Sequence, residues 1–315
     1  MKIYHSVNEF IPVENAVVTI GTFDGVHLGH RKLIEKVREI ADSIDGETVV
    51  LTFFPHPRMV IYPNEHGLEL LNTINEKKQL LEAAGVDHLI IHPFDREFSE
   101  LSSAEFIREV IVNKLKTKKL VIGYDHHFGK KREGNFDDLV RLAPRYGFEV
   151  EKIEEEDVND IAVSSTQVRN ALKSGDVETA QSYLGRPYTL TGKIVHGNKI
   201  GRTIGFPTAN LKISEDYKLI PAEGVYIVTV QIGKKSYFGM LNIGRRPTIE
   251  QNGRLSVEVY ILDFSGDIYG EELTLHLLKW VRADQKFSGM DDLKLQIEKD
   301  RIFTLNYIQS IEPTD

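Results

Sequence analysis

The chain has no cysteine, which excludes a disulfide framework and any thiolate metal centre. It has no apolar run long enough to cross a bilayer, so no membrane partner is expected. The opening residues, Met1-Lys2-Ile3-Tyr4-His5, lack the apolar core of a signal peptide, and the sequence reads as cytoplasmic. Basic residues are in the minority, 39 against 47 acidic ones, for a formal net charge of −8. Nucleic-acid binding draws its affinity from clustered Lys and Arg, so no nucleic-acid partner is expected. Repeats and low-complexity tracts are also missing.

What is present is enough for two cores: 315 residues, 41% of them hydrophobic, suit two compact domains. Up to about residue 152, short β-branched runs alternate with segments of helical period, the pattern of crossover units that build a parallel sheet. Strands are expected at Val17–Ile20, Thr48–Phe53, His88–Ile91, Leu120–Ile122 and Phe148–Val150, with helices near 28–41, 75–84, 103–115 and 136–146. Leu33, Ile34, Val37, Ile40 and Ala41 give the first helix its apolar stripe. From about Thr189 the period becomes two, as in Gly224–Val230 and Ser256–Ile261, with glycine-bearing turns between. The expected class is α/β plus β: a doubly wound, Rossmann-like parallel sheet, then a small antiparallel β-barrel. A terminal helix from Asp291 to about Tyr307 is expected to pack through Leu293, Ile297, Ile302 and Leu305.

Gly21-Thr22-Phe23-Asp24-Gly25-Val26-His27-Leu28-Gly29-His30 follows the first of these strands and opens the first helix. That is where an α/β sheet offers backbone N–H groups to phosphate. His27 and His30 lie three apart at a helix start and can face one ligand. Alone, they admit three readings: helix caps, a pair of metal ligands, or donors to phosphate oxygens. The glycine framing favours a nucleotide. Later in this half, Ser164-Ser165-Thr166-Gln167-Val168-Arg169 offers a serine N-cap, an anion-binding helix start and an always-charged guanidinium; alone, it is equally an ordinary capped helix.

The first stretch resembles the H-x-G-H signature, and the second the S-S-T-x-x-R signature, of nucleotidyltransferases that attack the α-phosphorus of ATP. The resemblance implies charge stabilisation by His27, His30 and Arg169. It also implies ATP contacts from Gly21, Phe23, Asp24, Gly25, Ser164, Ser165 and Thr166. Phe53-Phe54-Pro55-His56-Pro57 and Gly123-Tyr124-Asp125-His126-His127-Phe128-Gly129 resemble loops of bacterial FAD synthetases. They imply flavin contacts from His56 and Asp125. His126 stands where that family commonly has an aromatic residue.

In the second half, Gly201-Arg202-Thr203-Ile204-Gly205-Phe206-Pro207-Thr208-Ala209-Asn210 could be merely a turn between strands. The Thr208 hydroxyl and Asn210 amide oxygen are also hard ligands suited to Mg²⁺, and on an extended segment they share a face. Glu258 alternates with Val257 and Val259, so it projects opposite to them; solvent exposure is the usual fate of such a residue. The segment resembles the P-T-A-N signature of riboflavin kinases. Gly224-Val225-Tyr226, Asn242-Ile243-Gly244-Arg245-Arg246-Pro247-Thr248, Glu258, Asp267-Ile268-Tyr269-Gly270, Arg282 and Lys286-Phe287 follow in that family's order, with Tyr260 where it usually has histidine.

Over nearly its whole length the chain is thus similar to the bifunctional riboflavin kinase/FAD synthetase family. The resemblance implies an adenylyltransferase domain over 1–184 and a kinase domain over 185–315. It implies ATP, riboflavin, FMN and FAD as the small molecules handled, and Mg²⁺ with ATP. Flavins are then substrates and products, and no tightly bound organic cofactor is needed. It further implies Glu258 as the kinase base, ATP contacts from Gly201, Gly205, Thr208 and Asn210, metal ligation by Thr208 and Asn210, and a flavin contact from Arg282. A monomer or weak homo-oligomer is expected.

Overall fold

A computed structural model describes residues 1–63, 67–123, 126–153, 163–197, 200–245 and 255–311. Asp125 of the flavin-loop resemblance and residues 246–248 of the kinase resemblance lie outside them. The chain divides into two compact units, Met1–Ser165 and Thr166–Asp315.

The first unit is built on a six-stranded parallel sheet: β1 (Lys2–Tyr4), β2 (Val17–Ile20), β3 (Thr48–Phe53), β4 (His88–His92), β5 (Lys119–Gly123) and β6 (Glu149–Ile153), ordered β1-β4-β3-β2-β5-β6. Five of the six match expected runs. Three residues of β1 add an edge that three residues of sequence do not announce, pairing Lys2 with His88 and Tyr4 with Ile90. Val17, Val18, Val49, Val50 and Leu51 have no exposed surface, as strands covered on both faces require.

Winding reverses at β2: β3 and β4 lie to one side, β5 and β6 to the other. A sheet of this order opens a crevice at the carboxyl ends of the two strands flanking the reversal, here β2 and β5. Gly21 is the first residue beyond β2. Helix α1 (Leu28–Ser43) buries Ile34, Val37, Ile40 and Ala41, with Leu33 partly buried against the same cores. The other expected helices are present too. They are α3 (Ile74–Ala83), α5 (Ser103–Glu105), which runs into a wider helical stretch Phe106–Lys114, and α6 (Phe136–Tyr146). Two short helices, α2 (Pro57–Ile61) and α4 (Arg96–Ser99), were not expected.

In the second unit, β7 (Tyr188–Val195), β8 (Thr208–Lys212), β9 (Gly224–Ile232), β10 (Lys235–Arg245), β11 (Leu255–Ile261) and β12 (Glu272–Ala283) close a barrel in the order β10-β11-β8-β7-β12-β9. Helix α7 (Ser165–Lys173) leads into this unit, and α8 (Val177–Leu184) follows it. Between them the Trp280 ring of β12 lies against Gly175.

The terminal helix, Met290–Ile311, differs from expectation in the face it packs. Ile302 is 52% exposed, whereas Asp300, Thr304 and Ile308 are buried. Polar residues hold the inner positions because they are satisfied there. Asp300 takes Arg282, and the Thr304 hydroxyl donates to the Asp300 carbonyl.

Candidate active sites

The loop after β2 is held by buried polar contacts. Phe23 and Val26 lie in the left-handed region, at φ 47° and 40°, a cost on the order of 1 kcal/mol each that tends to collect at ligand-binding loops. Asp24 is buried, and its Oδ1 accepts from the Leu71 N–H at 2.9 Å. Ser165 Oγ donates to the Asp24 carbonyl at 2.9 Å, so the S-S-T-x-x-R segment begins against the glycine loop. Arg169 follows four residues further along α7, in the second unit.

His27 caps α1, its Nδ1 accepting from the His30 N–H at 3.4 Å. The two imidazoles stack with centroids 3.7 Å apart, and the Phe23 ring centroid lies 5.1 Å from that of His30. Capping and ligand presentation are therefore compatible. Burial first, then the neighbouring His27 and Lys77, pushes the His30 pKa well below its ordinary value. Its Nδ1 is buried with no hydrogen-bond partner among the described residues.

Two contributors carry no motif. Lys77 on α3 is buried, and its Nζ donates to the Thr22 carbonyl at 2.7 Å. Thr52 Oγ1 donates to the same oxygen at 3.2 Å. The one readable signal nearby is the Thr73/Glu76 capping box that starts α3. His56 also caps a helix, with Nδ1 accepting from the Arg58 N–H at 3.2 Å.

On the barrel, Glu258 of β11 pairs with Asn210 of β8, and Tyr260 pairs with Thr208. Directly paired residues and residues two apart point the same way, so all four side chains share one face. Val257 and Val259 point into the core and are buried. Thr208 Oγ1 donates to Glu258 Oε2 at 3.1 Å. Asn242 of β10 pairs with Glu258 from the other side, extending the polar row. A Cβ at Gly197 would sit 2.2 Å from Asn210 Nδ2, so a side chain there would displace the Asn210 amide. The Gly201 carbonyl accepts from the Phe206 N–H at 2.8 Å, closing the loop that ends at Gly205 and leads to Thr208. Thr208 lines a cleft of about 680 Å³, together with Ile194, Arg202, Pro207, Phe264 and Tyr269.

The donors fit a divalent cation. A hydroxyl and an amide oxygen beside a carboxylate are hard ligands, and an ion of the Mg²⁺ kind keeps several waters and binds substrate phosphate rather than an all-protein cage. Arg282 points elsewhere: its guanidinium forks onto Asp300 at 2.8 to 3.0 Å, donates to the Ala283 carbonyl, and lies 5.9 Å from the Phe287 ring centroid.

An anion-directed loop at the reversal point of a parallel sheet and a Thr-Asn-Glu face on a separate barrel define a transferase that handles phosphate at two sites. Family models agree in both halves: FAD synthetase matches residues 11–167 and riboflavin kinase matches 184–308. A Listeria monocytogenes bifunctional riboflavin kinase/FMN adenylyltransferase is 40% identical over 95% of this chain and 94% of its own length. The protein of that description from Escherichia coli K12 is 36% identical over 99% of this chain and all of its own. A Streptococcus pneumoniae structure described as a macrolide-efflux protein superposes with a TM-score of 0.85 and 31% identity, covering 96% of this chain and 98% of that one. Among the described residues no helix is long and apolar enough to cross a membrane. The chain belongs to the bifunctional riboflavin kinase/FMN adenylyltransferase family.

Proposed function

We propose that residues 185–315 carry the riboflavin kinase site around Thr208, Asn210 and Glu258, and that residues 1–184 carry the adenylyltransferase site around His27, His30 and Arg169. The family's two activities are this chain's: ATP-dependent phosphorylation of riboflavin to FMN, and adenylylation of FMN to FAD with release of pyrophosphate. Both use ATP with a divalent metal, which we assign as Mg²⁺.

In the kinase site, Glu258 accepts the proton of the riboflavin 5′-hydroxyl as that oxygen bonds to the γ-phosphorus and the bond to the β,γ-bridging oxygen breaks, leaving ADP. Thr208 and Asn210 would hold the metal, which would supply charge neutralisation to the phosphates. Gly201 and Gly205 place their loop against the phosphates. Positioning and charge neutralisation are what such a transfer needs. In the other site, an FMN phosphate oxygen attacks the α-phosphorus of ATP and pyrophosphate leaves. His27, His30, Arg169 and the start of α7 (Ser164, Ser165, Thr166) face the developing charge, while Gly21, Phe23, Asp24 and Gly25 shape the loop. Asp125, His56 and Arg282 remain candidates for holding flavin, Arg282 by way of the terminal helix it grips. A monomer or weak homo-oligomer working in the cytoplasm, where ATP is supplied, suits this reading.

The observation that carries the kinase assignment is the Thr208–Glu258 hydrogen bond beside Asn210. It puts the base within reach of the metal ligands. Incubating the full chain with riboflavin, ATP and Mg²⁺ and separating the products tests the whole reading. FMN should appear first and FAD after it; FMN accumulating without FAD would contradict the assignment of the first module.

A further inference from the structure

Lys77 is buried in the first unit and belongs to none of the signatures above. Its Nζ reaches the Thr22 carbonyl, which also accepts from Thr52, so both lone pairs of that oxygen are engaged. A trans peptide is planar, with its N–H directed opposite to its C=O. Drawing the Thr22 oxygen toward Lys77 therefore turns the Phe23 N–H away, on the side opposite the ammonium. Phe23 then takes its left-handed conformation and lies against His30.

We propose that Lys77 is a positioning residue of the adenylyltransferase site, its ammonium pinning the Thr22–Phe23 peptide and supplying positive charge beneath the loop that receives the triphosphate. The inference rests on the reading that residues 21–30 bind ATP.

A purely structural role explains this residue poorly. Burying an ammonium is expensive, and an apolar side chain of similar length fills the same space at lower cost. The charged and titratable groups that act on it or feel it are Asp24 on the loop and His30 on α1, with Glu76 preceding it on α3. Burial lowers the Lys77 pKa to about 8, with Asp24 pulling the other way. Near neutral pH the ammonium is thus mostly charged, and it loses its proton within an accessible range.

The test uses the full chain with Lys77→Met. FMN adenylylation is followed from pH 6 to 10 as kcat/KM for ATP, with riboflavin phosphorylation and thermal unfolding measured on the same preparations. In the unsubstituted chain, kcat/KM should fall as pH rises through about 8, because this parameter reports groups of the free enzyme. The variant should lose on the order of 10²-fold in that parameter, as a misplaced site does. It should also lack the alkaline limb, phosphorylate riboflavin normally, and unfold at the same or a higher temperature at pH 7. A flat profile to pH 10 in the unsubstituted chain overturns the proposal without recourse to any variant. Undiminished transfer by Lys77→Met, or loss of transfer together with earlier unfolding, also overturns it. Undiminished transfer by His30→Ala would instead remove the site reading on which the inference stands.

Discussion

His30 contacts both the His27 and Phe23 rings with a buried ammonium nearby, and its depressed pKa has a thermodynamic consequence. An imidazole in the unfolded chain titrates near ~6.5, whereas His30 in the folded chain titrates well below that. As pH falls through the unfolded value, the unfolded chain takes up a proton that the folded chain refuses. The stability linked to His30 is therefore present in full above that pH and is lost below it. Urea midpoints between pH 5 and 7.5 should decline less steeply in His30→Asn than in the parent; equal slopes would show that His30 is not the group responsible. The spacing of His27 and His30 was legible in the sequence because it follows a strand and opens a helix. Lys77 was not, because a lysine in an amphipathic helix reads as solvated, and only the fold brings it under the Thr22 carbonyl.

At the level of elements, two contacts fix the helices of the second unit. Gly175, at φ 84°, turns the chain between α7 and α8, and a Cβ there would lie 1.6 Å from Trp280 Cζ3. Gly175→Ala should cost about 2–3 kcal/mol through overpacking and backbone strain, read as a lower unfolding midpoint of the barrel unit. The terminal helix depends on the Arg282–Asp300 pair, whose side chains are only 19% and 5% exposed. Asp300→Ala strands a part-buried guanidinium and should cost about 2–3 kcal/mol, with faster amide exchange along residues 290–311. Unchanged exchange would mean that the apolar contacts alone dock the helix. Periodicity found this helix but put Ile302 on the wrong face, because a stripe of apolar residues cannot reveal that Asp300 and Thr304 are satisfied inside. The parallel strands were easier: their continuous β-branched runs reflect burial on both faces, and only the three-residue β1 escaped.

At the scale of the whole molecule, the chain carries two chemistries on two folds, and the sequence showed this more fully than any local feature did. The change of hydrophobic period from helix-strand alternation to strict twos separates a parallel sheet from a barrel, and each half carries its own glycine-rich loop. Chelation of divalent metal should abolish FMN formation and FAD formation alike, with added Mg²⁺ restoring both; persistence of either reaction would remove metal from that step.

Separate sites predict separate losses. The most direct measurement is product analysis, by chromatography, of Glu258→Gln and His30→Ala, each supplied with ATP and Mg²⁺ and with either riboflavin or FMN. Glu258→Gln should fail to make FMN from riboflavin yet still convert added FMN to FAD. His30→Ala should accumulate FMN from riboflavin and make little FAD from either flavin. Loss of both reactions in either variant would contradict two independent sites.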